Sequence, residues 1–357
     1  MDFTLSEELQ MIRDMARDFV TNELLPIESQ TLVLDGQPGK RGAPIPVEKY
    51  DALKKKAIGQ GLWAMTAPEA LGGGGLSTLG ACLVAEELGK TFVAFDFGDI
   101  PPILWDANAE QIEKYLKPAI AGEVQVVLAL REPNSDEIET RATIDGDAWI
   151  LNGTKLVEET DVYLVFAQTD EGVTCFVIDN VKSQDGRLVL RDVRVSASNI
   201  LGEIGKAFAL GKKYQNARLI RAAARRIGIA SRLLEQSSVY ARDWKSAGQP
   251  LSVRPLVQRD LADMAIEIDA ARWMVYHAAC EIDEGQAARE SAPRAVLFAS
   301  EMVQRAIDRT IEIYGGPSGA ADLPLVRIYR AEKKSDSRIL EIHRTRLAQE
   351  LVVGGEQ

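Results

Sequence analysis

From Ala207 onward, apolar residues recur at spacings of three and four along three long stretches, and no other feature narrows the fold of this chain so far. The first stripe is Ile220, Ala223, Ile227, Ala230 and Leu234, and the second is Leu261, Met264, Ile268, Ala271 and Val275. The third is Ala295, Phe298, Met302 and Ala306. Such spacing puts one apolar face on each helix, and that face must be buried. Helices that each offer a single face bury them against one another, so residues 206–357 are predicted to form an antiparallel helical bundle. Core packing accounts for all three stripes without a cofactor box.

The chain ahead of this bundle changes character twice. Residues 1–123 read as a helical domain. Thr4 or Ser6 can cap a first helix, with Glu7 and Glu8 in its opening turn and Leu9, Ile12, Met15, Phe19 and Val20 on its apolar face. The segment Thr31 to Pro46 reads as a loop, Val47 to Gly61 as a helix, and Gly72 to Gly75 as a turn ahead of a helix capped by Ser77. No strand precedes that glycine run, so it is not a dinucleotide fingerprint. Residues 124–205 read as a small β-domain. Apolar runs at 126–130, 162–167, 173–178 and 188–195 are separated by turn residues, and Asp145-Gly146-Asp147 marks a hairpin. Strands at this spacing predict an antiparallel barrel or sandwich.

Composition excludes several functions. The 357 residues are 46% apolar and 27% charged, the values of a globular chain. The net charge of −11, from 42 basic and 53 acidic residues, argues against nucleic acid as a partner. Arg218, Arg221, Arg225, Arg226, Lys333 and Lys334 form local basic clusters, read as solvated helix faces or as contacts for a ligand's phosphate or a partner subunit. Cys82, Cys175 and Cys280 lack metal-ligand spacing and lie in apolar contexts, which predicts buried free thiols. The two histidines, His277 and His343, form no metal motif, so no metal site is expected. The N-terminus lacks the pattern of an export signal, and no apolar run approaches the roughly 18 residues of a membrane span, so a cytoplasmic enzyme is expected.

Three glycine- and arginine-bearing landmarks close the chain: Tyr314-Gly315-Gly316-Pro317, then Arg327-Ile328-Tyr329-Arg330, then Glu341-Ile342-His343-Arg344 with Ala348-Gln349-Glu350-Leu351. Further upstream lie Gly61-Leu62-Trp63 to Glu69, Ala85-Glu86-Glu87-Leu88-Gly89, Asn152-Gly153-Thr154-Lys155 and Leu261-Ala262-Asp263-Met264. In this order the set resembles the acyl-CoA dehydrogenase family along nearly the whole chain. The resemblance implies a mainly helical fold, with an N-terminal helical domain, a small antiparallel β-domain and a C-terminal four-helix bundle, and FAD as cofactor. In that chemistry a carboxylate removes the α-proton of an acyl thioester while the flavin accepts hydride from the β-carbon.

Several of the family's site residues are replaced. The catalytic glutamate of its Ile-Tyr-Glu-Gly-Thr segment aligns with Ser337 from one side and Ile339 from the other, and neither is a base. Asp336, one residue away, is the candidate carboxylate. The alternative position on the first bundle helix, Tyr214 to Leu219, holds no carboxylate. The family's Thr-Glu-Pro loop reads Arg131-Glu132-Pro133-Asn134-Ser135-Asp136, which loses a threonine and leaves Ser135 as a candidate substrate contact. The indole that packs on the flavin becomes Val157, followed by Glu158 and Glu159. Of the surface that a subunit lends to its neighbour's flavin, Gly315 and Gly316 remain, and Arg242 is the candidate for the pyrophosphate.

The resemblance therefore implies three readings. The chain is the non-catalytic partner in a hetero-oligomeric acyl-CoA dehydrogenase, as in enzymes for bulky or steroid-type thioesters, with FAD bound mainly by a related subunit. It is a self-sufficient flavoenzyme whose base is Asp336. Or it is a flavin-free scaffold that binds CoA esters.

Overall fold

A computed structural model describes residues 4–32, 45–135, 137–157, 159–316, 325–333 and 337–353. The helices are α1 (Glu7–Phe19), α2 (Leu25–Leu32), α3 (Val47–Gly59), α4 (Thr78–Gly89), α5 (Ala109–Gln111) and α6 (Lys117–Ile120). They continue with α7 (Ala207–Asp243), α8 (Pro255–Asp283), α9 (Ser291–Tyr314), α10 (Leu325–Lys333) and α11 (Ser337–Val353). The chain divides into two compact units interleaved in sequence. One comprises Met1–Lys55, Ser77–Asp96 and Asn216–Gln357; the other comprises Lys56–Leu76 and Phe97–Gln215.

The first unit is helical, and the three apolar stripes meet in its core. Ile220, Ala223, Ile227 and Ala230 of α7 pack with Met264, Ile268, Ala271 and Val275 of α8, and with Ala295, Met302 and Ala306 of α9. Cys82 and Ala85 of α4 and Leu325 and Ile328 of α10 complete that core. Helix ends follow the residues that stop them. Ser6 accepts from the Leu9 N–H, and Ser77 accepts from the Gly80 N–H. Gly315, at φ 60°, ends α9 in a backbone conformation that a side chain would strain.

Two glycines let α4 and α7 touch backbone to backbone. A Cβ on Gly228 would lie 1.9 Å from the Glu86 carbonyl oxygen, and one on Gly89 would lie 2.2 Å from that of Arg225. Charged groups brace the same region. Glu86 accepts from Arg272 at 2.9 Å and from the Tyr276 hydroxyl at 2.8 Å, while Glu332 accepts from Arg226 at 3.1 Å. Between α8 and α9, Glu267 accepts from Arg305 at 2.9 Å and from Arg309 at 3.0 Å.

The second unit carries a seven-stranded sheet: β1 (Val126–Ala129), β2 (Arg141–Asp145), β3 (Ala148–Leu156), β4 (Val162–Thr169), β5 (Gly172–Ile178), β6 (Arg187–Ser196) and β7 (Ile200–Leu201). The β2–β3 hairpin turns at Gly146-Asp147 as the sequence predicts. The sheet is mixed, where an antiparallel one is expected. β1 pairs with β4 in parallel, because the β2–β3 hairpin is inserted between them in sequence and returns the chain in the same direction. Parallel pairing requires such a crossover, and nothing local in β1 specifies it.

The thiols depart from expectation in one place. Cys82 and Cys175 are buried, and burial pushes both thiols well up, whereas Cys280 is exposed on α8. The apolar neighbours of Cys280 in sequence lie on other faces of the helix, and only the packing direction reveals this.

Two outcomes follow from these contacts. Gly228→Ala lowers stability by about 1–3 kcal/mol through overpacking, whereas Gly211→Ala, where a Cβ meets nothing within 4 Å, stabilises α7 by roughly 0.5–1 kcal/mol; thermal unfolding of both variants checks the contrast. For Glu267, burial raises the carboxyl, but hydrogen bonds from Arg309 and Arg305 outweigh it and hold the group below its ordinary 4.5. A depressed carboxyl stabilises the fold above the unfolded-state value, and the contribution is lost as pH falls through the folded one. The Tm gap between wild type and Glu267→Gln is therefore largest at neutral pH and closes below pH 4.5.

Candidate functional site

Two motifs far apart in sequence meet in the β-domain. Glu132 of the Arg-Glu-Pro loop accepts from Lys155 Nζ at 2.5 Å, from the Thr140 hydroxyl at 2.8 Å and from the Thr140 N–H at 3.1 Å. Lys155 is 0% exposed. Burial pulls its ammonium down from the ordinary range, against the opposing pull of Glu132. Gly153 makes the approach possible, since a Cβ there would sit 2.4 Å from the Thr140 hydroxyl. The Arg131 carbonyl also accepts from the Leu156 N–H at 2.8 Å. The glutamate and lysine retained in this loop region thus form a strut, and their polar capacity is turned inward.

The neighbouring site positions are also engaged within the unit. Ser135 is half-buried, and its hydroxyl accepts from the Glu137 N–H at 3.0 Å, closing a turn in its own loop. Val157 is buried in the core of the sheet among residues that include Trp149, Leu188 and Phe176, and its N–H donates to the Gly186 carbonyl at 3.0 Å. Thr160 donates to the Gln125 carbonyl at 2.8 Å, and Glu159 is exposed. Glu158 and Asp136 lie outside the described residues. An isoalloxazine ring needs an apolar face and unengaged donors along one edge. Of the described residues of this loop, Glu132, Ser135 and Val157 are engaged within the unit, and Val157 presents its apolar side chain to the core of the sheet.

The bundle end is different. Arg242 is exposed and paired with Asp243 at 2.8 Å and 3.1 Å. Two residues to either side, Tyr240 of α7 and Trp244 just past the helix end stack at 5.5 Å between ring centroids, and Tyr240 stacks on Tyr314 at 4.1 Å. Tyr314 directly precedes Gly315 and Gly316, where a Cβ would meet nothing within 4 Å. Arg242, at the end of α7, and Gly315 and Gly316, at the end of α9, share one end of the bundle, where Tyr240 and Tyr314 stack between the two helices. That stack is absent from the site residues expected from sequence. An exposed guanidinium, a flat aromatic surface and bare backbone fit the adenosine and pyrophosphate portion of a dinucleotide.

The expected base is not brought to either place. Asp336 lies outside the described residues, and Ser337 and Ile339 fall in the first turn of α11. At the alternative position, the Tyr214 hydroxyl donates to Asp106 at 3.2 Å, and Asn216 donates to the Ala287 carbonyl at 2.7 Å. Among the described residues no acidic, histidine or cysteine cluster is arranged to hold a metal ion, and no helix is long and apolar enough to cross a membrane.

Lys155→Met would leave Glu132 buried without its counter-ion, at a cost of about 3–5 kcal/mol. Joining it with Glu132→Leu recovers most of that loss, and urea unfolding of the single and double variants measures the recovery.

Comparison with known proteins gives the family. Residues 6–123 match the acyl-CoA dehydrogenase N-terminal domain and residues 211–342 match its C-terminal domain. The chain is 31% identical to human mitochondrial short-chain specific acyl-CoA dehydrogenase, over 98% of this chain and 90% of that protein. It is 29% identical to subunit CarC of the caffeyl-CoA reductase–Etf complex of Acetobacterium woodii, over 98% of both. The solved structure of butyryl-CoA dehydrogenase from Megasphaera elsdenii superposes with a TM-score of 0.84 at 28% identity, covering 99% of this chain and 100% of that one. With both helical domains matched and the chain aligned to its relatives nearly end to end, this protein belongs to the acyl-CoA dehydrogenase family.

Proposed function

We propose that this chain is the non-catalytic subunit of a hetero-oligomeric acyl-CoA dehydrogenase. It lends its bundle end to a flavin held mainly by a related subunit. The observation that carries this reading is the contrast between the two places. The loop that would face the flavin ring is closed on itself through Glu132, Lys155 and Val157, whereas Arg242 and Trp244, the outer ring of the aromatic stack, are exposed at the bundle end. When bound, FAD supplies the hydride acceptor for desaturation of the acyl chain.

In that role the residues of this chain bind and do not transfer protons. Arg242 exchanges its exposed partner Asp243 for a pyrophosphate oxygen, a bidentate contact that an arginine fork suits. The Tyr240–Trp244–Tyr314 stack supplies a flat face for the adenine. The acyl-CoA substrate and its base belong to the partner subunit, and a bulky, steroid-type acyl group in a cytoplasmic catabolic enzyme is the finer form of the reading. The relative named as a subunit of a reductase–Etf complex supports assembly as the working state.

A relocated base in a self-sufficient enzyme is the second reading, with Asp336 as its residue. Among the described residues Glu332 favours it most, being a buried carboxylate on α10. Its engagement with Arg226 at 3.1 Å ranks this reading second.

The chain purified alone is expected to be colourless in the flavin bands, and to support dye reduction with acyl-CoA only when a catalytic family subunit is added. A yellow chain that turns over by itself overturns the assignment. In the assembled complex, Arg242→Ala weakens FAD retention about tenfold or more, the effect of losing a charged hydrogen bond, while the Tm of the isolated chain is unchanged.

A further inference from the structure

Where α4 ends against α7, a cleft opens whose far wall is α10. Its apolar surface includes Phe92, Ile229 and Ile328, and its charged surface is made by Arg225, Arg226, Arg232 and Glu332. Arg225, Ile229 and Arg232 stand at i, i+4 and i+7 on α7, so they share one face of that helix. The close crossing fixes the first of them, because the Arg225 carbonyl lies where a Cβ on Gly89 would be 2.2 Å away. The cleft thus opens beside the close crossing of α4 and α7.

We propose that this cleft binds a carboxylate carried on a short apolar chain, with the carboxylate among the α7 guanidiniums and the chain against Phe92, Ile229 and Ile328. The wall already recognises carboxylates supplied by the protein itself. Arg232 grips Glu28 with two parallel bonds of 2.7 Å and 2.5 Å, and the Thr91 hydroxyl and the Phe92 N–H donate to the same carboxylate. Arg226 holds Glu332. Arg225 adds a third guanidinium beside the two carboxylates, Glu28 and Glu332, that Arg232 and Arg226 hold. A guanidinium carries five N–H donors, so engagement with protein leaves others for a ligand. All three arginines are half-buried, where an anion gains more from them than at an exposed, fully screened site.

Two sources offer this chemistry: a free short-chain acid, and an acyl-CoA whose acyl group ends in a second carboxylate. Calorimetric titration of the full chain distinguishes them. One arm compares pentanoate with pentan-1-ol, and the other compares glutaryl-CoA with pentanoyl-CoA. In at least one arm the carboxylate-bearing member is expected to bind about tenfold more tightly or better, the scale of a charged hydrogen bond. Preference in the first arm alone identifies a free acid, and preference in the second identifies the distal carboxylate. Arg225→Gln removes the preference without weakening the neutral member. Ala331→Glu removes it too, by adding a carboxylate to the opposite wall while all three guanidiniums remain, and it decides the matter if Arg225→Gln does not fold. Equal affinities in both arms, or a preference that survives in the folded variants, overturns the proposal. Neither arm requires flavin or turnover, so the result is independent of the subunit assignment above.

Discussion

The contact on which the helical unit depends is the backbone-to-backbone crossing of α4 and α7 at Gly89 and Gly228. A Cβ at either glycine would overlap a carbonyl oxygen of the other helix, so no side chain separates the two at that point. Close packing has consequences that spread outward. It brings Glu86 into reach of Arg272 and Tyr276, and it buries Cys82 and Ala85 in the bundle core. It also fixes the stretch of α7 that carries Arg225, Arg226 and Arg232. Two residues without side chains thereby determine where three large charged ones stand.

Interior charge in this protein is handled by pairing. Glu28 with Arg232, Glu86 with Arg272, Glu332 with Arg226 and Glu132 with Lys155 are all pairs whose carboxylate is buried. Such pairs add little net stability compared with apolar packing, but breaking one leaves an uncompensated charge and is costly. They therefore act as registration devices: each permits one arrangement of its helices or strands and penalises the others. The Glu132–Lys155 pair shows what this means for function. Both residues stand in motifs that carry the family resemblance, and in this chain they hold a loop to a strand beside the buried Val157.

Much of the fold was legible in sequence because its signals are periodic or local. The stripes on α7, α8 and α9, the caps at Ser6 and Ser77 and the hairpin at Gly146 need only spacing and turn chemistry to be seen. Less of the candidate site was legible. Arg242, Gly315 and Gly316 could be named from their motifs, but the Tyr240–Tyr314 stack that joins them comes from two helices and has no signature along the chain. The basic cluster around Arg225 could be read as a solvated face, because its sequence does not reveal the helices packed over it. The exposure of Cys280 escaped for the same reason: an apolar neighbourhood in sequence does not say which face of the helix points outward.

By itself, then, the sequence determined the class of fold and the family, since each rests on residue identity or on spacing. Tertiary structure decided the rest. The parallel pairing of β1 with β4 depends on a hairpin inserted between them. The inward turn of Val157 depends on which side of the sheet the core occupies. The gathering of three arginines around one cleft depends on two glycines that let the helices meet. In each case the deciding term is contact between segments distant along the chain, and local spacing carries no information about it.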